Sequence, residues 1–363
     1  MAHEPLPELM AGPSLRIAVV PGDGIGVEVI AEAVKALTAV ADASGKELRL
    51  TPFDWGAERY LRTGVSLPPG SLELLQEGFD AILLGAMGDP RVPDNKHAAD
   101  ILLGLRFKLD LYVNYRPVRL FHEKLCPLKG ASPEDVDFVI FRENTEGLYV
   151  MMGGHFKKDT PEEVATEIDL NTRRGVERIL RHAFEFAQAR GKTRLVMADK
   201  SNVLVHAHEL WLRVFRTMAP EYPAIEARHL YVDNLAFQMV REPRQFQVIV
   251  TSNMFGDIVT DLAAALQGGL GMAASGNLHP GRLSLFEPVH GSSPAMAGRN
   301  VANPMGAILT AGLLLEHLGW TGEAGRIEAA VRRAVETDRT TSDLGGKLGT
   351  REVGDAIAER LRG

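Results

Sequence analysis

An α/β fold with a substantially parallel sheet is predicted by two patterns in this sequence of 363 residues. Short apolar runs typical of buried strands recur along the chain, and several of them end in a turn. Stretches with apolar residues at helical spacing separate many of these runs. Strands that alternate with helices favour parallel pairing, because the helix returns the chain to the starting end of the sheet.

The first predicted strand covers residues 15–20, and a glycine turn at 21–26 leads into a helix over 27–40. Further strands are expected at 81–85, 137–141, 194–198 and 247–251, and helices at 172–189 and 206–218. The glycine turn does not match a dinucleotide-binding GxGxxG fingerprint, which would need glycine in place of Val27 or Val29. A Rossmann topology is therefore not predicted, and a close approach to a ligand is the interpretation left open for this turn.

Composition bounds the class of protein. A hydrophobic content of 45% and a charged content of 24% are typical of an ordinary globular protein. The net charge of −7 argues against nucleic acid or an anionic membrane as partner. One cysteine, Cys126, excludes a disulfide within the chain and favours a cytosolic setting. The N-terminus resembles no signal peptide, and the apolar stretch at 305–315 is too short to span a bilayer. The sequence thus predicts a soluble cytoplasmic protein.

Two aspartates near the middle of the chain give the first indication of chemistry. Asp257 and Asp261 are four residues apart, so a helix places them on one face, one turn from each other. A hard divalent cation such as Mg²⁺ or Mn²⁺ would relieve their repulsion. The alternative is a solvated helix start, where acidic residues favour the helix dipole. Asp233, after a short apolar segment, is a third candidate acid.

Basic residues indicate what such a site would bind. Arg106, Arg116 and Arg142 fall in two short segments, and arginine offers a fixed fork of donors to a carboxylate. Each alone is more typical of a surface or salt-bridge residue. Lys200 follows an apolar strand, where a lysine can take part in proton transfer. Together with the aspartates, these residues predict a site for a metal ion and a multiply charged acid.

In combination and order, these motifs resemble the metal-dependent β-decarboxylating dehydrogenases, a family of isopropylmalate, isocitrate, homoisocitrate and tartrate/D-malate dehydrogenases. The resemblance runs from Pro21-Gly22-Asp23-Gly24-Ile25-Gly26 to Asp343-Leu344-Gly345-Gly346, nearly the whole chain. It implies an isopropylmalate dehydrogenase-like fold of two domains with an open cleft, not a Rossmann fold. Residues 1–111 and 268–363 would form the cofactor-binding domain. Residues 112–267 would form the domain for dimerisation, substrate and metal, with an arm near 151–171 that clasps a second subunit.

The resemblance also implies how ligands are held in a homodimer with shared active sites. The carboxylates of a small dicarboxylate substrate would be bound by three arginines, Arg106, Arg116 and Arg142. Asp257 and Asp261 would hold Mg²⁺ or Mn²⁺ together with Asp233 of the partner subunit.

The expected reaction is NAD-dependent oxidative decarboxylation of a 2-hydroxy acid that bears a β-carboxylate. Lys200, also from the partner subunit, would accept the hydroxyl proton. Tyr149 would protonate C3 after CO₂ is lost. Because all these residues are present, a noncatalytic regulatory subunit is disfavoured.

NAD is the cofactor that the resemblance favours. Its expected contacts are Glu287, His290, Gly291, Ser292, Ser293 and Asn303. NAD-using relatives normally carry an aspartate where this chain has Ala295, and NADP-using isocitrate enzymes carry a lysine–tyrosine pair where it has Ala295-Met296. NAD is preferred, because nothing nearby supplies the cation that a 2′-phosphate would need.

The identity of the substrate depends on segments that disagree. Leu102 and Leu103 fit the apolar pocket used for an isopropyl group, although core packing is the alternative for each. Residues 199–204 resemble isopropylmalate enzymes, whereas four other segments, 113–114, 126–128, 142–147 and 278–286, look more like tartrate/D-malate enzymes. The first prediction is conversion of 3-isopropylmalate to 4-methyl-2-oxopentanoate and CO₂ in leucine biosynthesis. Tartrate/D-malate dehydrogenase is the next, followed by homoisocitrate dehydrogenase.

Overall fold

The computed structural model describes residues 14–363, which alternate between strands and helices as predicted. The strands are β1 (Ser14–Val20), β2 (Glu47–Pro52), β3 (Ala81–Leu84), β4 (Val113–Arg119), β5 (Asp137–Glu143), β6 (Gly153–Phe156), β7 (Val164–Glu167), β8 (Arg194–Asp199), β9 (Glu226–Tyr231), β10 (Val248–Thr251), β11 (Ala274–Leu278) and β12 (Ser284–Pro288). The α-helices are α1 (Ile25–Ser44), α2 (Ala57–Thr63), α3 (Ser71–Gly78), α4 (Lys96–Ala98), α5 (Gly104–Lys108), α6 (Arg173–Ala189), α7 (Ala207–Met218), α8 (Val232–Arg241), α9 (Asn253–Leu266), α10 (Met305–His317), α11 (Thr321–Glu336) and α12 (Thr350–Arg362). The α/β class is confirmed, and every strand and helix predicted above is present.

The first of two compact units contains residues 14–111, 116–136 and 264–363. Its strands follow the order β2-β1-β3-β12-β11, in which only β11 runs antiparallel to its neighbour. The strand residues Ile17, Ile82 and Leu285 are fully buried. Helices α1, α10, α11 and α12 pack against one another, so the two ends of the chain build one unit.

The second unit contains residues 112–115 and 137–263. Its strands β5-β10-β8-β9 are parallel throughout, and each of the last three is followed by a helix. β6 and β7 form a separate antiparallel pair whose residues are all exposed. This pair lies within the segment predicted to be the arm.

The observed units differ from the expected boundaries mainly at residues 116–136, which lie with the first unit. Burial explains the difference, since Val118, Leu120 and Val136 are core residues, and the Leu120 N–H donates to the Val136 carbonyl at 2.9 Å. The roles assigned to the two domains stay predictions. Within residues 14–363, no helix is both long and apolar enough to cross a membrane.

His317, the last residue of α10, gives the first unit a predictable response to acid. Burial lowers the pKa of His317 to about 4, and its ring lies against Phe286 with 5.3 Å between the centroids. At a pH below the ordinary pKa of histidine but above 4, the unfolded chain therefore binds a proton at His317 and the folded chain does not. The free energy of unfolding should fall by about 2 kcal/mol from this residue between pH 7 and about pH 5. Urea denaturation of wild type and His317→Gln at both pH values should show that the free energy of unfolding of wild type falls by about 2 kcal/mol more than that of the variant. An equal fall in both proteins would contradict the lowered pKa of His317.

Candidate active site

The first functional cluster forms where two parallel strands end side by side. β5 ends with Arg142 and Glu143, and Thr251, at the end of the adjacent β10, is level with Arg142. Helix α9 begins two residues later at Asn253, whose Oδ1 accepts from Arg142 Nε at 2.9 Å and from Nη2 at 2.7 Å. The third arm of the guanidinium, Nη1, donates to Oδ1 of Asp257. The Arg142 side chain is 1% exposed, so its charge is compensated inside the protein rather than by water.

Gly256 has a steric role in this cluster. A Cβ atom at this position would lie 2.5 Å from Cγ and 2.6 Å from Cβ of Arg142. Glycine therefore leaves the space through which Arg142 reaches Asn253 and Asp257.

Tyr149 joins the same cluster from the loop after β5. Its hydroxyl donates to Oδ2 of Asp257 at 2.8 Å, and the Arg142 guanidinium carbon lies 4.8 Å from its ring centroid. Burial, opposed by Arg142 and reinforced by the Asp257 carboxylate, raises the pKa of Tyr149. The phenol therefore lies beside a carboxylate and a guanidinium, within hydrogen-bond distance of the first of them.

Asp257 and Asp261 lie one turn apart on α9, as predicted. Asp257 remains 44% exposed although both its oxygens accept hydrogen bonds, and Asp261 is exposed. Across residues 14–363, no three acidic, histidine or cysteine side chains come close enough to hold a metal ion.

A second cluster brings together two further predicted residues. Lys200, directly after β8, donates from Nζ to Oδ1 of Asp233 at 2.5 Å. Asp233 lies in the first turn of α8, and the hydrogen bond from Lys200 lowers the pKa of its carboxyl group. The candidate proton acceptor and the candidate third metal ligand are therefore neighbours within one chain.

In the first unit, Arg106 and Glu287 form a buried pair. Arg106 Nη2 donates to Glu287 Oε1 at 2.8 Å, and Asn277 Nδ2 donates to the same oxygen at 2.9 Å. Within residues 14–363, the buried Nε–H of Arg106 has no acceptor. Arg116, on β4, is also buried. A candidate substrate residue and a candidate cofactor residue are thus joined here.

The two predicted specificity residues lie in a π-helical turn, Ala99–Leu103, between α4 and α5. Leu102 packs against the buried cluster that contains Ile101 and Leu105, which favours the packing alternative for this leucine. Leu103 is half-buried. Insertions of this kind in a helix are frequent at functional sites.

The candidate cofactor loop, residues 287–294, is fixed by the glycine turn. The Ile25 N–H donates to the Ser292 carbonyl at 2.8 Å, and a Cβ atom on Gly24 would lie 2.1 Å from that carbonyl oxygen. Gly24 has a φ of 54°, a conformation that glycine adopts without strain. The close approach seen at this turn is to the chain itself, and an approach to a ligand stays a prediction. Ser293, with a φ of 36°, bends the loop further.

His290 and Asn303 differ in how their polar atoms are used. His290 Nδ1 lies 3.1 Å from the Gly291 carbonyl, and burial lowers the pKa of its ring. The neutral ring then carries its proton on Nδ1, and its buried Nε2 finds no partner among residues 14–363. Asn303 instead donates to Asp343 at 3.0 Å and accepts the Met305 N–H at the start of α10.

The asparagines Asn253 and Asn277 were missed as candidate site residues. Asn253 anchors Arg142, and Asn277 anchors Glu287. The position of Asn253 just after an apolar run could have indicated it as a site residue. No sequence pattern indicates Asn277, since its partner Glu287 lies on the antiparallel neighbour β12.

Known proteins resemble this chain over nearly its full length. The family model described as isocitrate/isopropylmalate dehydrogenase matches residues 16–357. The 3-isopropylmalate dehydrogenase of Thermobifida fusca is 48% identical over 354 residues, with 97% of this chain and 99% of that protein covered. The same-named protein of Streptomyces griseus is 49% identical over 350 residues, with 96% and 99% covered. The crystal structure of isocitrate dehydrogenase from Methylococcus capsulatus has a TM-score of 0.87 at 36% identity, with 96% of this chain and all of that chain (100%) covered.

Proposed function

Because this chain belongs to the isocitrate/isopropylmalate dehydrogenase family, we propose that it is an NAD-dependent, metal-requiring dehydrogenase that oxidatively decarboxylates 3-isopropylmalate to 4-methyl-2-oxopentanoate and CO₂. That reaction would place it in leucine biosynthesis. The single observation that carries the proposal is the Arg142–Asp257–Tyr149 cluster, which combines an anion-binding group, a carboxylate and a proton donor.

Binding of a dicarboxylate is supported by the burial of three arginines, Arg106, Arg116 and Arg142. A guanidinium removed from water attracts a carboxylate more strongly than an exposed one does. The unsatisfied Nε–H of Arg106 is a donor that a substrate carboxylate would satisfy.

The donor set near Asp257 fits a hard divalent cation. Asp257 is partly exposed and Asp261 is exposed on the same helix face, and carboxylate oxygens are the ligands that Mg²⁺ and Mn²⁺ prefer. Asp233 of the partner subunit would add the third carboxylate. When bound, the cation supplies stabilisation of negative charge that develops on the C2 oxygen.

The loop at residues 287–294 fits the nucleotide end of NAD. The unprotonated Nε2 of His290 is a buried acceptor, suited to a ribose hydroxyl or an adenine amino group. Residues 291–293 offer backbone N–H groups, and Asn303 borders the start of α10. NAD supplies the hydride acceptor for C2.

Two side chains of the chain itself would move protons. Lys200 would accept the proton of the C2 hydroxyl, and its neighbour Asp233 holds it in place. After the bond between C3 and its carboxylate breaks and CO₂ leaves, Tyr149 would donate its phenolic proton to C3. The position of its hydroxyl beside Asp257 supports that role, because it places a protonated phenol among the proposed substrate and metal ligands.

A homodimer is proposed because the strand pair of the arm is exposed, with no element among residues 14–363 covering it. Phe156 and Val164, on the strand pair itself, and Met151, just before it, are exposed apolar side chains, and an isolated two-stranded pair is marginally stable alone. A second copy of this chain would bury them. With a single, free cysteine and no disulfide to maintain, a cytoplasmic location is the one we propose.

The test is NADH formation by the purified protein with Mn²⁺, with 3-isopropylmalate, D-malate, tartrate, isocitrate and homoisocitrate offered in parallel, and NADP⁺ as a second cofactor. We expect kcat/KM for 3-isopropylmalate with NAD⁺ to exceed that for each other acid by at least about tenfold, since even one methylene group in an apolar pocket contributes about 1–3 kcal/mol. A preference for malate or tartrate would replace the proposed substrate. If the protein converted none of these acids, the proposed dehydrogenase activity would be refuted.

A further inference from the structure

Residues 169–172, at the end of the arm, form hydrogen bonds with the segments that hold Tyr149 and Lys200, the two candidate proton-transfer residues. We name this segment the arm base. The Gly147 N–H, two residues before Tyr149, donates to the Leu170 carbonyl at 2.7 Å. Glu146 accepts from the backbone N–H of Thr172 at 2.8 Å. The loop that carries Tyr149 is therefore tied directly to the arm base.

Helix α7 makes the corresponding connection to Lys200. His208 Nδ1 accepts the backbone N–H of Lys200 at 3.1 Å, and His208 Nε2 lies 3.4 Å from Asp169 Oδ2. One turn further along α7, Trp211 Nε1 donates to Asn171 Oδ1 at 2.8 Å, and Asn171 in turn donates to Asp169 at 2.8 Å. Two residues of α7 thus hold the arm base, and one of them also holds the backbone of Lys200.

The hydrogen bonds determine which nitrogen of His208 carries the proton. A backbone N–H can only donate, so Nδ1 must present its lone pair to Lys200. The proton of the neutral ring is then on Nε2, which faces the Asp169 carboxylate. Because the His208 side chain is 2% exposed and its ring lies against Phe255 at 5.1 Å between centroids, both ring nitrogens are shielded from bulk solvent.

We propose that His208 is a positioning residue for Lys200, which links the lysine to the arm base through the chain Asp169, His208 and the Lys200 backbone N–H. The inference rests on the proposed function, in which Lys200 accepts the hydroxyl proton. The carboxylate fixes the orientation of the ring, and the ring fixes the turn from which the lysine side chain projects. A partner that docks on the arm would therefore also stabilise the position of Lys200.

Two substitutions at one position separate the two bonds of His208. The amide oxygen of His208→Asn can occupy the place of Nδ1 and accept from Lys200, but asparagine is too short to reach Asp169. The longer His208→Gln reaches toward Asp169, but it leaves the Lys200 N–H without its acceptor. We expect His208→Asn to retain kcat within about threefold. We expect His208→Gln to lower kcat by about 10- to 100-fold, as removal of supporting contacts does elsewhere, with KM for 3-isopropylmalate nearly unchanged.

Hydrogen exchange gives a second readout that needs no substrate. The amide of Lys200 should exchange at least about tenfold faster in His208→Gln than in wild type, and His208→Asn should preserve its protection. Asp169→Ala, at a position whose side chain is 22% exposed, should fall between the two in both exchange and kcat. It keeps the inference testable if a substitution at His208 prevents folding.

The outcomes distinguish this inference from the proposed function. Equal kcat and equal Lys200 exchange in His208→Asn and His208→Gln would overturn the positioning role, even with an active wild type. Unchanged kcat and exchange in Asp169→Ala would overturn the link to the arm base. A wild type inactive on every acid offered would refute the proposed function, while a difference in exchange would still support the hydrogen bond from Lys200 to His208.

Discussion

Replacing Asp257 by asparagine is expected to lower kcat/KM for 3-isopropylmalate by about a thousandfold, the size of effect expected when several kcal/mol of transition-state stabilisation are lost. The amide keeps the shape of the side chain but removes the charge that would bind a cation. It also removes the negative partner of Arg142. The fold should survive, because Asn253 still accepts two hydrogen bonds from the guanidinium and Asp257 is 44% exposed. We expect the free energy of unfolding to fall by about 1–3 kcal/mol, because the buried guanidinium loses a charged partner while its two hydrogen bonds to Asn253 remain.

Mn²⁺ binding, measured by calorimetry without substrate, provides the readout that does not depend on turnover. Asp257→Asn should weaken it severely, and Asp261→Asn should do the same. The matched control is Glu177→Gln on α6, an exposed carboxylate paired with Arg173 that should leave Mn²⁺ affinity and turnover unchanged. Undiminished Mn²⁺ affinity in Asp257→Asn would remove this residue from the proposed metal site.

Replacing Lys200 by methionine is expected to lower kcat by about 10²- to 10⁴-fold, the usual contribution of a general base. Methionine retains an unbranched chain but can accept no proton. Lys200→Arg is the informative companion, because it keeps a positive charge beside Asp233 while its pKa is too high for proton acceptance. Both variants should be inactive and folded, since the ion pair with the 67% exposed Asp233 adds little stability. Full activity in the arginine variant would assign Lys200 an electrostatic role instead.

Mixed dimers test whether the sites are shared. A dimer of one Lys200→Met chain and one Asp257→Asn chain would contain one intact site, built from Asp257 of the first chain and Lys200 of the second. Random pairing makes half of the dimers mixed, so coexpression should restore about a quarter of wild-type activity. No recovery would show that each subunit supplies both residues to its own site.

Much of the fold was predictable because continuous apolar runs mark the buried strands. The run at 81–84 is apolar throughout, and all four of its residues are fully buried. By contrast, neither β9 nor β2 contains a buried residue, and the polar–apolar alternation of β2 covers only residues 47–50, so both strands were missed. The position of residues 116–136 in the first unit depends on burial of Val118 and Leu120, which sequence spacing does not reveal.

The candidate site was predictable in its residue types and less so in its contacts. The one-turn spacing of Asp257 and Asp261 follows from helix geometry alone. The need for glycine at 256 arises from the side chain of Arg142, and the need for glycine at 24 arises from the carbonyl of Ser292. Neither partner is near in sequence, so no local pattern could have identified it. Likewise, the pairing of Arg106 with Glu287 could not be inferred from two separate motifs.

The way the ends of the chain share one unit has a consequence for its synthesis on the ribosome. β3 needs β12 on its far side, and α1 needs α10 and α12, so the first segment to emerge cannot complete its core until the last segment follows. Residues 137–263, in contrast, contain the four strands that pair in parallel with one another, β5, β10, β8 and β9, and can fold earlier. The apolar edge of β3 therefore stays uncovered for most of translation, which makes the nascent amino-terminal segment the natural point of chaperone engagement and of aggregation.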